Sequence, residues 1–210
     1  MSDDAAKVGD AGLVLEEDLV SLEGRRVVLT PLGPAYYDFL WEMESGLDFR
    51  FRFRGATPSP ELFIASLWDS VVVAFIVLRR DTGGPIGLVT VYKEDTRSAT
   101  AYVAVGLHPD AVGHVYGPEA LVLLLNYSFH TFPYRKLYAE SIEYNISGLS
   151  GLREKLFVEE GRFRDHEFIA GRWWDRVYFA VYRERWNELR PKLLRGALPV
   201  GALRSYESIL

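Results

Sequence analysis

The segment between residues 107 and 120 carries the groups with the clearest chemical use. It reads Leu-His-Pro-Asp-Ala-Val-Gly-His-Val-Tyr-Gly-Pro-Glu-Ala, a turn that enters a helix directly after a strand-like run. Because the first turn of a helix has no internal partners for its backbone N–H groups, several donors point at one place, where the helix dipole also favours negative charge. This arrangement predicts a site for the pyrophosphate of a phosphorylated cofactor.

Ionisable side chains in and after this segment are candidates for charge neutralisation and proton transfer. His114 lies inside the loop, where a cationic imidazole would face the phosphates; the alternative is an exposed histidine without a partner. Glu140 and Glu143 alternate in facing along a later strand, so one of them points to the cleft side of the sheet. Each is either a catalytic base or an ordinary solvent-facing carboxylate.

A second unusual segment, residues 49–55, alternates phenylalanine with arginine. In an extended conformation Arg50, Arg52 and Arg54 line one face, so the guanidinium groups could bind an anion while the rings on the other face anchor the segment. A solvated edge strand paired with local acidic residues is the alternative.

Hydrophobic periodicity predicts the elements that position these residues. Strands are expected at residues 25–29, 71–80, 86–93, 101–107, 137–144, 167–169 and 174–182, and helices at residues 34–43, 60–68, 117–132, 147–157 and 184–194. Ser59 is expected to cap the second helix, and turns at 81–85 and 170–171 to close hairpins. The order of these elements predicts a mixed α/β sheet with helices on both faces.

Composition narrows the class of protein. The chain has 210 residues, 49% of them hydrophobic, which suits one globular domain, taken as residues 22–190 between a flexible tail (1–21) and a C-terminal extension (191–210). The absence of cysteine excludes disulfides and thiolate chemistry and fits a cytoplasmic location. A net charge of −5 disfavours nucleic acid as a partner, no apolar stretch is long enough for a membrane span, and no histidine pair has metal-ligand spacing.

Several local signatures, taken in order, resemble the GNAT superfamily of N-acyltransferases, in particular the branch that acetylates the N-terminal amines of ribosomal proteins. They are Leu-His-Pro at 107–109, Tyr-Gly-Pro-Glu-Ala-Leu at 116–121, Asn145 with Ser147, Phe157 with Glu-Gly-Arg at 160–162, and Gly-Arg-Trp-Trp-Asp at 171–175 before Trp186. The resemblance spans about residues 22–186. It implies a largely antiparallel, twisted sheet and acyl transfer from a pantetheine thioester to a primary amine by direct attack, without a metal.

The resemblance also implies roles for individual residues. The acyl donor, acetyl-CoA or the phosphopantetheine of an acyl-carrier protein, is expected against Val105, Leu107, Val112, Gly113, His114, Val115, Tyr116, Gly117 and Asn145. Glu140, Asn145 and Ser147 are the catalytic candidates. Arg50, Arg52, Arg54, Trp173 and Trp174 are candidates for the acceptor site, which would take an amine-bearing small molecule or a protein N-terminus. A homodimer is left open.

The chain departs from the family pattern at the phosphate loop and at the usual acid. Val112 stands where a basic or amide residue is expected, and Val115 where a glycine is expected, so a β-branched residue would resist a positive φ near the phosphate. Leu152 stands where many relatives have a tyrosine that protonates the departing thiolate, and Leu156 replaces a glycine. These changes leave three alternatives: another proton donor such as Ser147, another catalytic residue, or a noncatalytic module that binds a ligand or partner in the same cleft.

Overall fold

A computed structural model describes residues 22–46 and 59–199, which contain one eight-stranded sheet in the order β1-β2-β3-β4-β5-β6-β8-β7. The strands are β1 (Leu22–Glu23), β2 (Val27–Pro31), β3 (Val71–Arg79), β4 (Pro85–Asp95), β5 (Thr100–Leu107), β6 (Lys136–Ile142), β7 (Val158–Ile169) and β8 (Arg172–Tyr182). The α-helices of these residues are α1 (Tyr37–Ser45), α2 (Pro60–Ser66), α3 (Tyr116–Thr131), α4 (Ser150–Leu156) and α5 (Arg183–Ala197). Short 3-10 helices cover Pro34–Tyr36, Pro109–Ala111 and Glu143–Leu149. None of the helices in this part of the chain is long and apolar enough to cross a membrane.

Strand β3 shows why both faces of the sheet carry helices. Phe75 and Val77 belong to the main core, which α3 and α5 cover, whereas Ala74 and Ile76 belong to a second cluster beneath α1 and α2. Consecutive side chains of a strand point to opposite faces, so one apolar run supplies both clusters. The predicted α/β architecture with helices on both faces is confirmed.

The two predicted hairpins are present, but the second is longer than predicted. Ala170 (φ 51°) and Gly171 (φ 80°) both have a positive φ, as a two-residue type I′ turn requires. Strand β7 begins at Val158 rather than at residue 167. The residues between are mostly charged and exposed, because β7 is the edge strand of the sheet, so they lack the apolar alternation that marks a half-buried strand.

Helix α5 carries the fold past the boundary predicted at residue 190. It continues through Pro191 to Ala197, and Leu194, Ala197 and Leu198 are buried in the main core. The Arg25 backbone N–H donates to the Ala197 carbonyl at 2.6 Å. The folded unit therefore includes residues at the start of the predicted C-terminal extension. The predicted N-terminal tail, residues 1–21, lies outside the described residues.

Glu119 fixes the start of α3 against the first strands. Its carboxylate is 4% exposed and accepts hydrogen bonds from the backbone N–H groups of Arg26 (2.6 Å) and Val27 (3.1 Å). The Arg26 guanidinium lies 3.4 Å from the second carboxylate oxygen. A Cβ at Gly24 would lie 2.5 Å from the same carboxylate, so glycine is needed for this close approach. Glu119 therefore ties the first turn of α3 directly to the start of β2.

The sheet opens between β5 and β6. All neighbouring strands are antiparallel except these two, which pair in parallel at three positions, ending at Tyr102 with Tyr138. Both strands continue beyond that point, β5 to Leu107 and β6 to Ile142, without pairing to each other. A wedge-shaped gap in the sheet is the result.

Candidate active site

The gap between β5 and β6 leads into a cavity of about 580 Å³. Its walls come from both strands, from the loop before α3, from the segment after β6 and from the α1–α2 side of the sheet. The cavity is thus lined by elements from both faces of the sheet.

Backbone donors of β5 point into the gap. The His108 N–H donates to the Ile86 carbonyl on β4 at 2.8 Å. Because N–H groups alternate in direction along an antiparallel strand, those of Val105 and Leu107 point away from β4, toward the edge where β6 no longer pairs. Val105 and Leu107 both line the cavity. These amides are available to bind the carbonyl oxygens of a ligand.

The loop before α3 presents a second set of donors. The backbone N–H groups of residues 113–117 donate no hydrogen bond to any other described residue. Gly113, with φ of +86°, is the loop residue in the left-handed region, and Gly113, His114 and Gly117 line the cavity. Successive free amides at the start of a 16-residue helix are the arrangement from which the sequence analysis predicts an anion site.

The two valines of this loop adopt ordinary backbone conformations. Val112 has φ of −75° and packs partly against the main core while also lining the cavity. Val115 has φ of −77°, is 50% exposed and does not line the cavity. The expectation that a β-branched residue would resist the loop conformation was wrong, because Gly113 alone supplies the positive φ there. At Gly117 a Cβ would lie 3.3 Å from Leu107, so this glycine lets the helix approach β5 closely.

The rings beside the loop come from His114 and Tyr116, whose centroids lie 5.5 Å apart. The Arg79 guanidinium, from the end of β3, lies 5.8 Å from the centre of the Tyr116 ring, and Tyr116 itself does not line the cavity. His114 faces the cavity, and Arg79 adds a cation near the loop that sequence reasoning missed. Arg79 also makes a bidentate pair with Asp81, which is exposed.

Glu140 is the carboxylate that faces the cleft. It lines the cavity with its side chain 9% exposed, and it accepts a hydrogen bond from the Tyr92 hydroxyl at 3.3 Å. Arg176 lies 3.3 Å from one carboxylate oxygen and Lys93 lies 3.7 Å from the other. The second carboxylate of the predicted pair, Glu143, instead accepts from the Asp175 backbone N–H at 3.3 Å outside the cavity.

Arg176 is a site residue that the sequence analysis did not single out. It is 8% exposed, lines the cavity, and pairs through its second nitrogen with Glu167 on the neighbouring strand β7. The signal in the sequence was the position of Arg176 directly before the apolar run of β8. An arginine buried in a strand requires acidic partners. The Glu140–Arg176–Glu167 cluster fixes the polar wall of the cavity.

The segment after β6 carries two further candidates. Asn145 lines the cavity, and Ser147 follows in the same 3-10 helix, Glu143–Leu149, but the Ser147 side chain lies outside the described part of the structure. Leu152 and Leu156 are buried in the main core, at 9% and 1% exposure. The position at which relatives have a tyrosine thus serves packing in this chain.

The aromatic residues predicted to wall the acceptor pocket lie elsewhere. Trp173 is 56% exposed and packs on Phe168 at the tip of the β7–β8 hairpin. Trp174 donates its indole N–H to the Ile169 carbonyl, with the Arg172 guanidinium 3.2 Å from its ring centre. Neither lines this cavity, because the turn at Ala170 holds both near the hairpin end. The predicted acceptor residues Arg50, Arg52 and Arg54 lie outside the described residues.

Glu44 occupies the opposite wall, near the end of α1. Its carboxyl group lines the cavity, and burial raises its pKa to about 7. Among the described residues no hydrogen bond or ion pair reaches this carboxylate. The predicted helix ends at residue 43, directly before Glu44, and no sequence signal distinguished this residue from the other acidic residues of α1.

The described residues hold no group of three or more histidine or acidic side chains that could bind a metal ion. The comparison with curated protein sequences found no significant match.

Comparisons with known proteins agree with the fold. A GCN5-related N-acetyltransferase from Brucella melitensis is 22% identical with a TM-score of 0.66, over 82% of this chain and 83% of that one. A spermidine N-acetyltransferase from Vibrio cholerae, solved with CoA and spermine, is 19% identical with a TM-score of 0.69, over 77% of this chain and 98% of that one. These likenesses show the shared fold. The family model for the acetyltransferase (GNAT) domain matches residues 26–147, more than half of the chain. The chain therefore belongs to the GNAT acetyltransferase family.

Proposed function

We propose that this protein transfers an acyl group from a pantetheine thioester to a primary amine by direct attack of the amine. The observation that carries the proposal is the run of free backbone N–H groups at residues 113–117 beside the gap between β5 and β6. Enzymes of this family use acetyl-CoA, and the Vibrio cholerae relative was solved with CoA. Acetyl-CoA is accordingly the first donor to test.

The donor would lie along the opened edge of β5. The amides of residues 113–117 would hold its pyrophosphate, and the amides of Val105 and Leu107 would bind the carbonyl oxygens of the pantetheine arm and of the thioester. The bound donor supplies the activated acyl group. His114, which faces the cavity from the loop, would add positive charge when protonated.

Three side chains on the far side of the gap would complete the site. Asn145, which lines the cavity, would orient the pantetheine arm through its amide, and Ser147 would give a proton to the departing thiolate. A carboxylate has about four lone-pair sites, so Glu140 can accept a hydrogen bond from the acceptor amine while it keeps its contacts with Arg176 and Tyr92.

The test is thiol release from acetyl-CoA by the full chain, with simple primary amines, spermidine and peptides with free N-termini as acceptors. A peptide preference would support the ribosomal-protein branch, and a spermidine preference would support a polyamine substrate. Acetylated acyl-carrier protein is compared with acetyl-CoA to decide between the two donors. CoA binding without thiol release from either donor, with any acceptor, would favour the noncatalytic binding module.

A matched pair of glycine variants tests the donor site separately from catalysis. Gly113 and Gly171 both have a strongly positive φ, +86° and +80°, but Gly171 lies at the distant hairpin tip. Gly113→Ala is expected to weaken CoA binding in titration calorimetry by at least about tenfold, because the strained residue displaces the amides. Gly171→Ala is expected to leave it unchanged. Equal affinity of Gly113→Ala and the unaltered protein would refute the proposed loop site.

A further inference from the structure

Glu44 lines the cavity and has no role in the chemistry proposed above. Amines are protonated near neutral pH, with a free pKa of about 10, and an ammonium group cannot attack a carbonyl until it has lost a proton. Acyl transfer to a primary amine therefore needs a proton acceptor on the acceptor side of the cavity. The two carboxylates that line the cavity walls at α1 and β6 are Glu44 and Glu140.

Glu140 is less suitable than Glu44 for this role because both of its carboxylate oxygens already have partners. Arg176 and Lys93 lie 3.3 Å and 3.7 Å from its oxygens, and the Tyr92 hydroxyl donates to it. Both carboxylate oxygens therefore already have partners in the folded protein. This leaves Glu140 suited to holding the amine by a hydrogen bond.

Glu44 has the opposite surroundings. No described residue makes a hydrogen bond or ion pair with its carboxylate, and burial raises the pKa of this carboxyl to about 7. It lies in the last turn of α1, which contains no basic residue, and the partial negative charge at a helix C-terminus attracts a cation. A half-buried carboxylate that pairs with no described residue, at this end of a helix, is a binding place for an ammonium group.

Among the residues that the structure describes, no other ionisable group that faces the cavity pairs with Glu44. These other groups are Asp69 after α2, Tyr92 on β4, His114 in the loop before α3, Glu140 on β6 and Arg176 on β8. Asp69 is exposed and, as a second acidic group on the same side, adds attraction for a cation.

We propose that Glu44 binds the ammonium group of the acceptor and takes its proton; the inference rests on the proposed function. One proton passes from R–NH3⁺ to the Glu44 carboxylate, and the freed nitrogen lone pair forms the C–N bond to the acyl carbon. The C–S bond breaks, its electron pair leaves on sulfur, and sulfur takes a proton from Ser147, which recovers the second proton from nitrogen. The products are an amide and a thiol, and Glu44 returns its proton to solvent.

The kinetic test compares Glu44→Gln with Glu42→Gln, a control on the exposed side of the same helix. With acetyl-CoA and the best acceptor of the panel, the unaltered protein is expected to lose kcat/KM below a pH of about 7. Glu44→Gln is expected to lower kcat by about 10²- to 10³-fold and to abolish that limb of the pH profile, with CoA affinity retained. Glu42→Gln should match the unaltered protein, and Glu44→Asp should keep the limb at reduced kcat.

A binding test separates this inference from the proposed function. The carboxyl carbon of Glu44 is followed by NMR in the full labelled chain, assigned by its loss in Glu44→Gln, with and without n-butylammonium chloride. A midpoint near 7 that falls on addition of the ammonium salt supports the inference, even if no thioester is consumed. A midpoint near the ordinary glutamate value, no response to the salt, or an unchanged kcat and pH profile in Glu44→Gln would overturn it.

Discussion

Replacing Glu119 by alanine tests how α3 is held against the sheet, and its cost can be worked out from the contacts of the carboxylate. The Val27 N–H would be left buried without its acceptor, which costs about 1–3 kcal/mol, and the partly buried Arg26 N–H would lose a hydrogen bond to a charged group, about 1.5 kcal/mol. The Arg26 guanidinium is 47% exposed, so its ion pair adds less than about 1 kcal/mol. The expected loss of unfolding free energy is about 3–4 kcal/mol.

Two further variants separate these contributions in equilibrium urea unfolding followed by circular dichroism. Glu119→Gln keeps an oxygen that both backbone N–H groups can use, so it should cost about 1–2 kcal/mol. Arg26→Ala keeps the backbone donors and removes the guanidinium, so it should cost less than about 1 kcal/mol. A loss in Arg26→Ala equal to that in Glu119→Ala, or a loss below about 1 kcal/mol in Glu119→Ala, would refute the assignment of the energy to the two buried hydrogen bonds.

Three other perturbations have defined outcomes. Arg176→Met removes the buried cation that Glu140 and Glu167 share and leaves Glu140 with the more distant Lys93, so it should destabilise the fold by about 3 kcal/mol in urea unfolding; a loss within error of zero would count against the cluster as a fixed wall. The raised pKa of Glu44 means that the folded state favours its protonated form, so unfolding free energy should fall by about 2–3 kcal/mol as pH rises from about 4.5 to about 7. This fall in unfolding free energy with pH should be absent in Glu44→Gln. The same fall in both proteins would contradict the raised pKa of Glu44. Ser59→Ala removes the side-chain acceptor of the Leu62 N–H at the start of α2 and should lower the midpoint of thermal unfolding by an amount equivalent to about 1 kcal/mol; Ser66→Ala, whose hydroxyl donates within the same helix, serves as the comparison.

Elements with a clear apolar period could be predicted from the sequence, and those without one could not. The strands β3 and β4 and the helix α3 have dense apolar patterns, and the Ser59 cap was confirmed by its hydrogen bond to Leu62. The first half of β7 was missed because an edge strand with charged residues on both faces has no apolar alternation. The end of α5 was misjudged because Pro191 and Gly196 are typical helix breakers, although buried contacts of Leu194 continue the helix.

The parts of the site that follow from local backbone geometry could be predicted from the sequence. The parts that depend on which way a side chain points, or on contacts between distant segments, could not. The free amides after Gly113 follow from a strand, a turn and a helix start, all of which are local. Which of two glutamates faces the cleft depends on where β6 ends, and Glu140 proved to be the inward one. Glu44 and Arg176 meet the cavity from elements far apart in sequence, so no local pattern could have joined them.

Strands β5 and β6 pair at only three positions, which affects how a long, narrow donor can enter the gap. The two half-sheets, β1–β5 and β6–β8, are joined at one end by these three pairs, beside which the Arg135 N–H donates to the Ala99 carbonyl at 2.8 Å. At the other end no ladder joins them, so a chain-like ligand can be inserted between the halves as a surrogate strand without rupturing any backbone hydrogen bond of the protein. A donor can therefore enter the gap without breaking the hydrogen bonds that hold the sheet together.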